Sequence, residues 1–263
     1  MNSLKLKSLS RLAGQLQAAL ATLALLVALA PELHAGNPPV DSVLISIRIQ
    51  SHTLTTTPGA VDTISIVCNA QGNGIAGFDF TLAYDHESFD LIDALPGSFL
   101  DSCNWEYFMD RDNPKCPGPC PAGLYKIVAL ARLQDEDNAP TCFIPPDGTE
   151  LARLVIRRRP EIRARTFMGV VSEPLRFFWI DCGDNSLSSV SGNDLLLCRV
   201  VSDADGAPLP QNIYTHFPNY TGPTGACLDS RRENAPKAVV KYINAVIVSP
   251  PIEFVPEQDS TGH

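Results

Sequence analysis

Phe78, Phe80, Leu82 and Tyr84 occupy alternate positions in Gly-Ile-Ala-Gly-Phe-Asp-Phe-Thr-Leu-Ala-Tyr-Asp, residues 74–85, with Asp79, Thr81 and Ala83 between them. A two-residue period sends successive side chains to opposite faces of an extended chain, so this stretch reads as a β-strand. One side enters a hydrophobic core; the other meets water or a partner. Few other patterns constrain a fold as tightly, because a slip of one residue would turn the aromatic set outward.

The same period recurs along the chain. Val43–Gln50, Val61–Cys68, Phe89–Ile92, Tyr125–Ala131, Leu151–Arg157, Leu175–Ile180, Leu195–Val201 and Ala238–Val248 all read as strands separated by turn residues. Gln71-Gly72-Asn73-Gly74 is a hairpin-type turn leading into the first stretch. No convincing helix is expected beyond the N-terminal segment. Eight or nine short strands without helical crossovers specify an all-β, jelly-roll-like antiparallel β-sandwich. Residues 101–122, rich in Cys, Pro, Asp and Gly, read as one insertion, and 203–236 as a second.

The ends differ in character from this body. Lys5, Lys7 and Arg11 precede an apolar run at Ala18–Ala30, followed by Pro31 and Leu33-His34-Ala35. That order is expected of a secretory signal peptide over 1–35, cleaved after about Ala35. The sandwich domain would span 36–249, with a Pro-containing flexible tail over 250–263. No second apolar run reaches membrane-spanning length, so the mature protein is expected to be secreted and free of the membrane. The net charge is −9, and losing a basic leader makes it more negative. An acidic surface argues against nucleic acid or anionic lipid as partner.

Eight cysteines follow the leader, an even count that in an exported protein favours disulfides. Cys103, Cys116, Cys120 and Cys142 are placed to staple the first insertion, and Cys182 and Cys198 to bridge neighbouring strands. Cys116-Pro-Gly-Pro-Cys120 lacks zinc-finger spacing and has no second Cys or His pair to complete it.

Three constellations have two readings each. Asp181, Asp184 and Asn185 could supply oxygens to a structural calcium, or could cap a tight turn. Three oxygen-bearing residues fall short of the usual ~6–8 ligands, which favours the turn. Trp105 and Tyr107 could stack on a sugar, or could pack the insertion; Tyr214, Phe217 and Tyr220 read as packing. Asp203-Ala-Asp205-Gly206 lacks the Glu that closes an EF-hand loop and reads as a turn. Catalytic signatures are wanting: there is no His-Glu-x-x-His, no Gly-x-Ser-x-Gly and no phosphate loop. Asn219-Tyr220-Thr221 fits a glycosylation acceptor. The chain thus reads as a binding module rather than an enzyme, with no cofactor beyond the candidate calcium.

Residues 74–85, continuing into Tyr84-Asp85-His86, Phe89-Asp90-Leu91-Ile92 and Pro96-Gly97, resemble the cohesins, receptor modules of cellulose-degrading assemblies. Gly148–Leu154 and Ala238–Val248 resemble two further strands of that family. The resemblance implies a sandwich that binds a dockerin-like protein partner through one sheet face. In type I cohesins an Asn and an Asp, two apart, face the partner; their positions here are Gly77 and Asp79. Asp79, Thr81 and Gly77 are therefore the expected partner-binding residues. Carbohydrate-binding modules share the architecture, so polysaccharide is the alternative ligand.

Overall fold

The computed structural model describes residues 44–57, 59–112, 114, 120–132, 142–159, 170–181, 183–210, 213–214 and 237–251. The expected leader, Cys116, Cys182, Cys227, Phe217, Tyr220, the glycosylation acceptor and the tail from 252 lie outside these residues.

Thirteen strands are found among the described residues. They are β1 (Ile45–Ile49), β2 (His52–Thr53), β3 (Val61–Asn69), β4 (Ile75–Tyr84), β5 (Phe89–Pro96), β6 (Tyr107–Asp112), β7 (Gly123–Leu130), β8 (Thr149–Arg158), β9 (Val171–Phe177), β10 (Ser186–Ser189), β11 (Leu195–Ser202), β12 (Lys237–Ile243) and β13 (Ala245–Ser249). One short helix, α1 (Ser98–Ser102), lies between β5 and β6. One layer runs β5-β8-β3-β1-β12-β11; the facing layer is built from β2, β13, β9, β4, β7 and β6. β10 pairs with both β4 and β11 and so joins the layers along one side.

The sandwich agrees with the strand pattern. Its pairing is mixed, because β12 runs parallel to both β1 and β11, and β13 runs parallel to β2. The expected strand over 238–248 is two strands, parted at Asn244. The Asn244 N–H donates to the Ser202 carbonyl at 2.9 Å, while its side-chain Oδ1 accepts the Phe177 N–H at 2.9 Å. One residue thus satisfies both layers at the point where the chain crosses between them. The insertion expected as irregular over 101–122 contains the end of α1 and all of β6, which pairs in full with β7.

Phe78, Phe80, Leu82 and Tyr84 all point inward, as the alternation requires. Phe80 stacks on Phe78 at 4.5 Å between ring centres and meets Phe177 and Tyr242 edge-on at 5.7 and 6.3 Å. Such offset and edge contacts suit the charge distribution of the rings. Ile45, Ile47 and Ile49 of β1 and Ile64 and Ile66 of β3 close the core from the facing layer. The Tyr242 hydroxyl, sealed in this core, donates to the Asn185 carbonyl at 2.8 Å.

The cysteines correct one expectation. Cys103 and Cys142 form a disulfide, and Cys120 is also disulfide-bonded. Cys198, expected to bridge to Cys182, is a free thiol buried on β11, and Cys68 is a second on β3. Both project into apolar packing, where a thiol behaves as a small hydrophobe. No helix among the described residues is long and apolar enough to cross a membrane.

Candidate functional site

β4, β7 and β6 lie side by side, and their registers fix which residues share the outer face. Gly77 lies opposite Leu130, which lies opposite Tyr107; Asp79, Val128 and Met109 form the next row; Thr81, Lys126 and Arg111 the third. Tyr107, Val128 and Leu130 are half-buried and Met109 is exposed, so the middle of this face is apolar. Gly77 is closely enclosed by its neighbours. A Cβ on it would come within 2.7 Å of Ser188 Oγ and 2.8 Å of Leu130 Cδ2.

Charge borders the apolar strip. Lys126 Nζ lies 3.0 Å from Asp79 Oδ2 and 2.8 Å from Asp184 Oδ1. Burial pushes the Asp79 carboxyl up to about 6, against the downward pull of Lys126. Burial also opposes the charge on Lys126, but the two carboxylates more than offset it and hold its pKa above the usual lysine value. Asp79 Oδ1 is shielded from solvent and has no hydrogen-bond partner. A buried, unsatisfied acceptor costs free energy until a donor reaches it.

Thr81 does not belong to the open face. It is fully buried, because residues 178–181 and 183–186 fold across the outer side of β4. The Phe178 N–H donates to the Thr81 carbonyl, the Thr81 N–H to Asn185 Oδ1, and the Thr81 hydroxyl to Asp184 Oδ1, each at 2.9 Å. The edge of β4 is shared: β10 takes Ile75–Asp79 and β9 takes Leu82–Ala83. The Asn185 side chain fills the gap between them. Ala83, Leu124, Phe178 and Ile180 make a small apolar cluster beneath this cover.

The same segment holds Asp181, Asp184 and Asn185. Asp184 Oδ2 accepts the N–H groups of Ile180 and Asp181 at 2.8 and 3.0 Å, and Asp181 Oδ1 accepts that of Gly183 at 2.8 Å. The Asn185 amide donates to the Phe178 carbonyl at 2.8 Å, from a backbone with φ +52°. Asn tolerates that left-handed conformation better than most residues. These side chains thus bond a turn, Thr81 and Lys126. Among the described residues, no group of three or more His, Cys, Asp or Glu side chains converges as a metal site.

Trp105, considered as a sugar platform, is instead packed against the core. Its ring lies 6.2 Å from Phe78 and 5.9 Å from Phe99, and its Nε1 donates to the Cys142 carbonyl at 3.3 Å. Tyr107 remains on the outer face. Sequence reasoning did not single out Met109, Lys126, Val128 and Leu130. The run Leu124–Leu130 is apolar at most positions on both faces, which hides its period, although the lone Lys126 marks the outer side.

No protein-family model matches the chain, and no curated protein matches it. Similar solved structures include the OlpC type I cohesin of Clostridium thermocellum, solved in complex with a dockerin. That match has 13% identity and a TM-score of 0.47, covering 79% of this chain and 94% of that one. The seventh ScaB type I cohesin of Pseudobacteroides cellulosolvens matches at 12% identity and TM-score 0.44, covering 82% and 98%. A non-cellulosomal cohesin of the archaeon Archaeoglobus fulgidus matches at 12% identity and TM-score 0.38, covering 78% and 90%. These are distant likenesses to cohesins; the sandwich itself stands on the strand pairing described above.

Proposed function

We propose that this protein is a non-catalytic binding module of the cohesin kind, which captures a dockerin-like protein partner on the outer face of β4, β7 and β6. The observation that carries the reading is the half-open apolar strip of Tyr107, Met109, Val128 and Leu130, flanked by the Lys126-bridged carboxylates. An apolar centre with a polar border is how protein interfaces are composed. Asp79 Oδ1 lacks a donor, and a partner hydroxyl or amide would supply one. The sequence resemblance over residues 74–85 names the class of partner.

A linear array of exposed rings would have favoured polysaccharide on this face; Tyr107 is the ring that the three strands present outward, with Trp105 turned into the core. Export fits the basic and apolar order of residues 1–35, and an extracellular, polysaccharide-degrading setting follows from the family resemblance.

Surface plasmon resonance of the full chain against a panel of purified dockerin modules tests the reading. At least one module should bind, and Val128→Asp should weaken it at least about tenfold, as expected for a charge placed in an interface core. The melting temperature of the variant should stay close to the parent's. If no module binds, or if Val128→Asp and Met109→Arg bind as the parent does, this face is not the receptor surface.

A further inference from the structure

The two layers are joined on one side by β10, but on the other side their last strands do not pair with each other: β5 pairs with β8, and β6 with β7. A cleft of about 450 Å³ lies along this unjoined side. Tyr84 and Tyr125 come to it from the aromatic interior, and Leu91 and Ile92 from β5. Its polar groups are unusually concentrated for a place assigned no role so far.

Asp90 is the anchor. Its carboxylate takes Arg157 Nη2 at 3.3 Å and Arg159 at 2.6 Å, so one acid orients two guanidinium groups, and the half-exposed Arg157 presents N–H donors to the cleft. Opposite, the Tyr125 hydroxyl donates to Asp110, and Arg111 lines the same wall. His86 also lines the cleft, and its Nδ1 has no hydrogen-bond partner.

We propose that this cleft binds a neutral saccharide, at a site separate from the protein-docking face. Three arginines are matched by three aspartates, Asp90, Asp110 and Asp112, so the cleft has no net attraction for an anion. What it offers is fixed donors beside fixed acceptors, which is the pattern that vicinal hydroxyl groups satisfy. Tyr84 and Tyr125 are buried beneath the cleft, and the exposed Ile92 provides its apolar surface for the C–H face of a sugar ring. The volume falls in the range of small-ligand sites. Arginine pairs held by a carboxylate keep their geometry without the ligand, so little ordering is needed on binding.

The test is isothermal titration calorimetry of the full chain with tetrasaccharides of β-1,4-glucan, β-1,4-xylan and β-1,4-mannan. Citrate and tri-galacturonate serve as acidic probes. At least one neutral tetrasaccharide should bind with Kd below about 1 mM. Arg157→Ala and His86→Ala should each weaken it about tenfold, the loss expected when a charged or buried hydrogen-bonding group is removed. Arg157 is half-exposed and Asp90 retains Arg159, so the first variant keeps its fold. Val128→Asp, which disables the docking face, should leave saccharide binding unchanged, so the two sites fail independently. The proposal is overturned if no neutral tetrasaccharide binds, if an acidic probe binds more tightly, or if both cleft variants bind as the parent does.

Discussion

Asp79 is placed where its charge is held by Lys126 but taxed by burial. Its folded pKa of about 6 lies above the ordinary aspartate value of 3.8, so between those values the folded state binds the proton more tightly than the unfolded chain. This contribution to stability is therefore present in full below about pH 4 and is lost as pH rises through about 6. Urea titrations of parent and Asp79→Asn at pH 4, 5, 6 and 7 should show the parent losing about 2 kcal/mol relative to the variant across that range. A difference that stays constant with pH would contradict the assignment. Two glycines give a second residue-scale comparison. A Cβ on Gly97 would collide with the backbone carbonyl of Glu150, whereas one on Gly77 meets two side-chain ends that can shift and the Ala129 carbonyl less closely, at 3.1 Å. Gly77→Ala should cost about 1–2 kcal/mol in chemical denaturation, and Gly97→Ala about 3 or more. The reverse order would mean that the backbone beside Gly97 yields more readily than the Leu130 side chain.

At the scale of elements, two junctions carry testable consequences. The Cys103–Cys142 disulfide ties the end of α1 to the approach to β8 across a sequence separation of 39. A loop of that size corresponds to roughly 4 kcal/mol of restricted unfolded-state entropy, so Cys103→Ser with Cys142→Ser should lower stability by about 2–4 kcal/mol in urea. Asn244 is the second junction: Asn244→Ala leaves the Phe177 N–H without an acceptor in the interior, costing about 1–3 kcal/mol by the same assay. These elements also show what could be read beforehand. The inward set of β4 was legible because its aromatic residues alternate strictly with small or polar ones. The fate of Thr81 was not, because its cover includes Asp184 and Asn185, a hundred positions away, and strand periodicity says nothing of what folds over the outer face. β6 was obscured by the Cys and Pro residues around it. A single Asn between two apolar runs at 238–248 was the available sign of the crossing, and its meaning depends on two distant strands.

At the scale of the whole molecule, Cys68 and Cys198, the thiols free among the described residues, report how the core behaves as a unit. Burial pushes Cys68 up to about 12 and Cys198 well above the ordinary thiol value, so neither offers a thiolate at neutral pH. Under native conditions both should resist iodoacetamide, and their labelling rate should rise with urea in step with global unfolding. Fast labelling of either without unfolding would reveal a local opening of β3 or β11. The open side of the sandwich and the docking face adjoin along β6, yet they draw on different residues, Asp90 and Arg157 against Val128 and Leu130. A scaffold of this kind can hold a partner and a ligand together.

The divided margin of β4 has a last implication for how such a chain can change. Because β10 and β9 grip successive lengths of one ribbon, with Asn185 plugging the space between, a single codon inserted after Phe80 would swing Leu82 and Tyr84 to the exterior while Phe78 stayed within. Length variation should therefore be tolerated in the connections and refused in this ribbon.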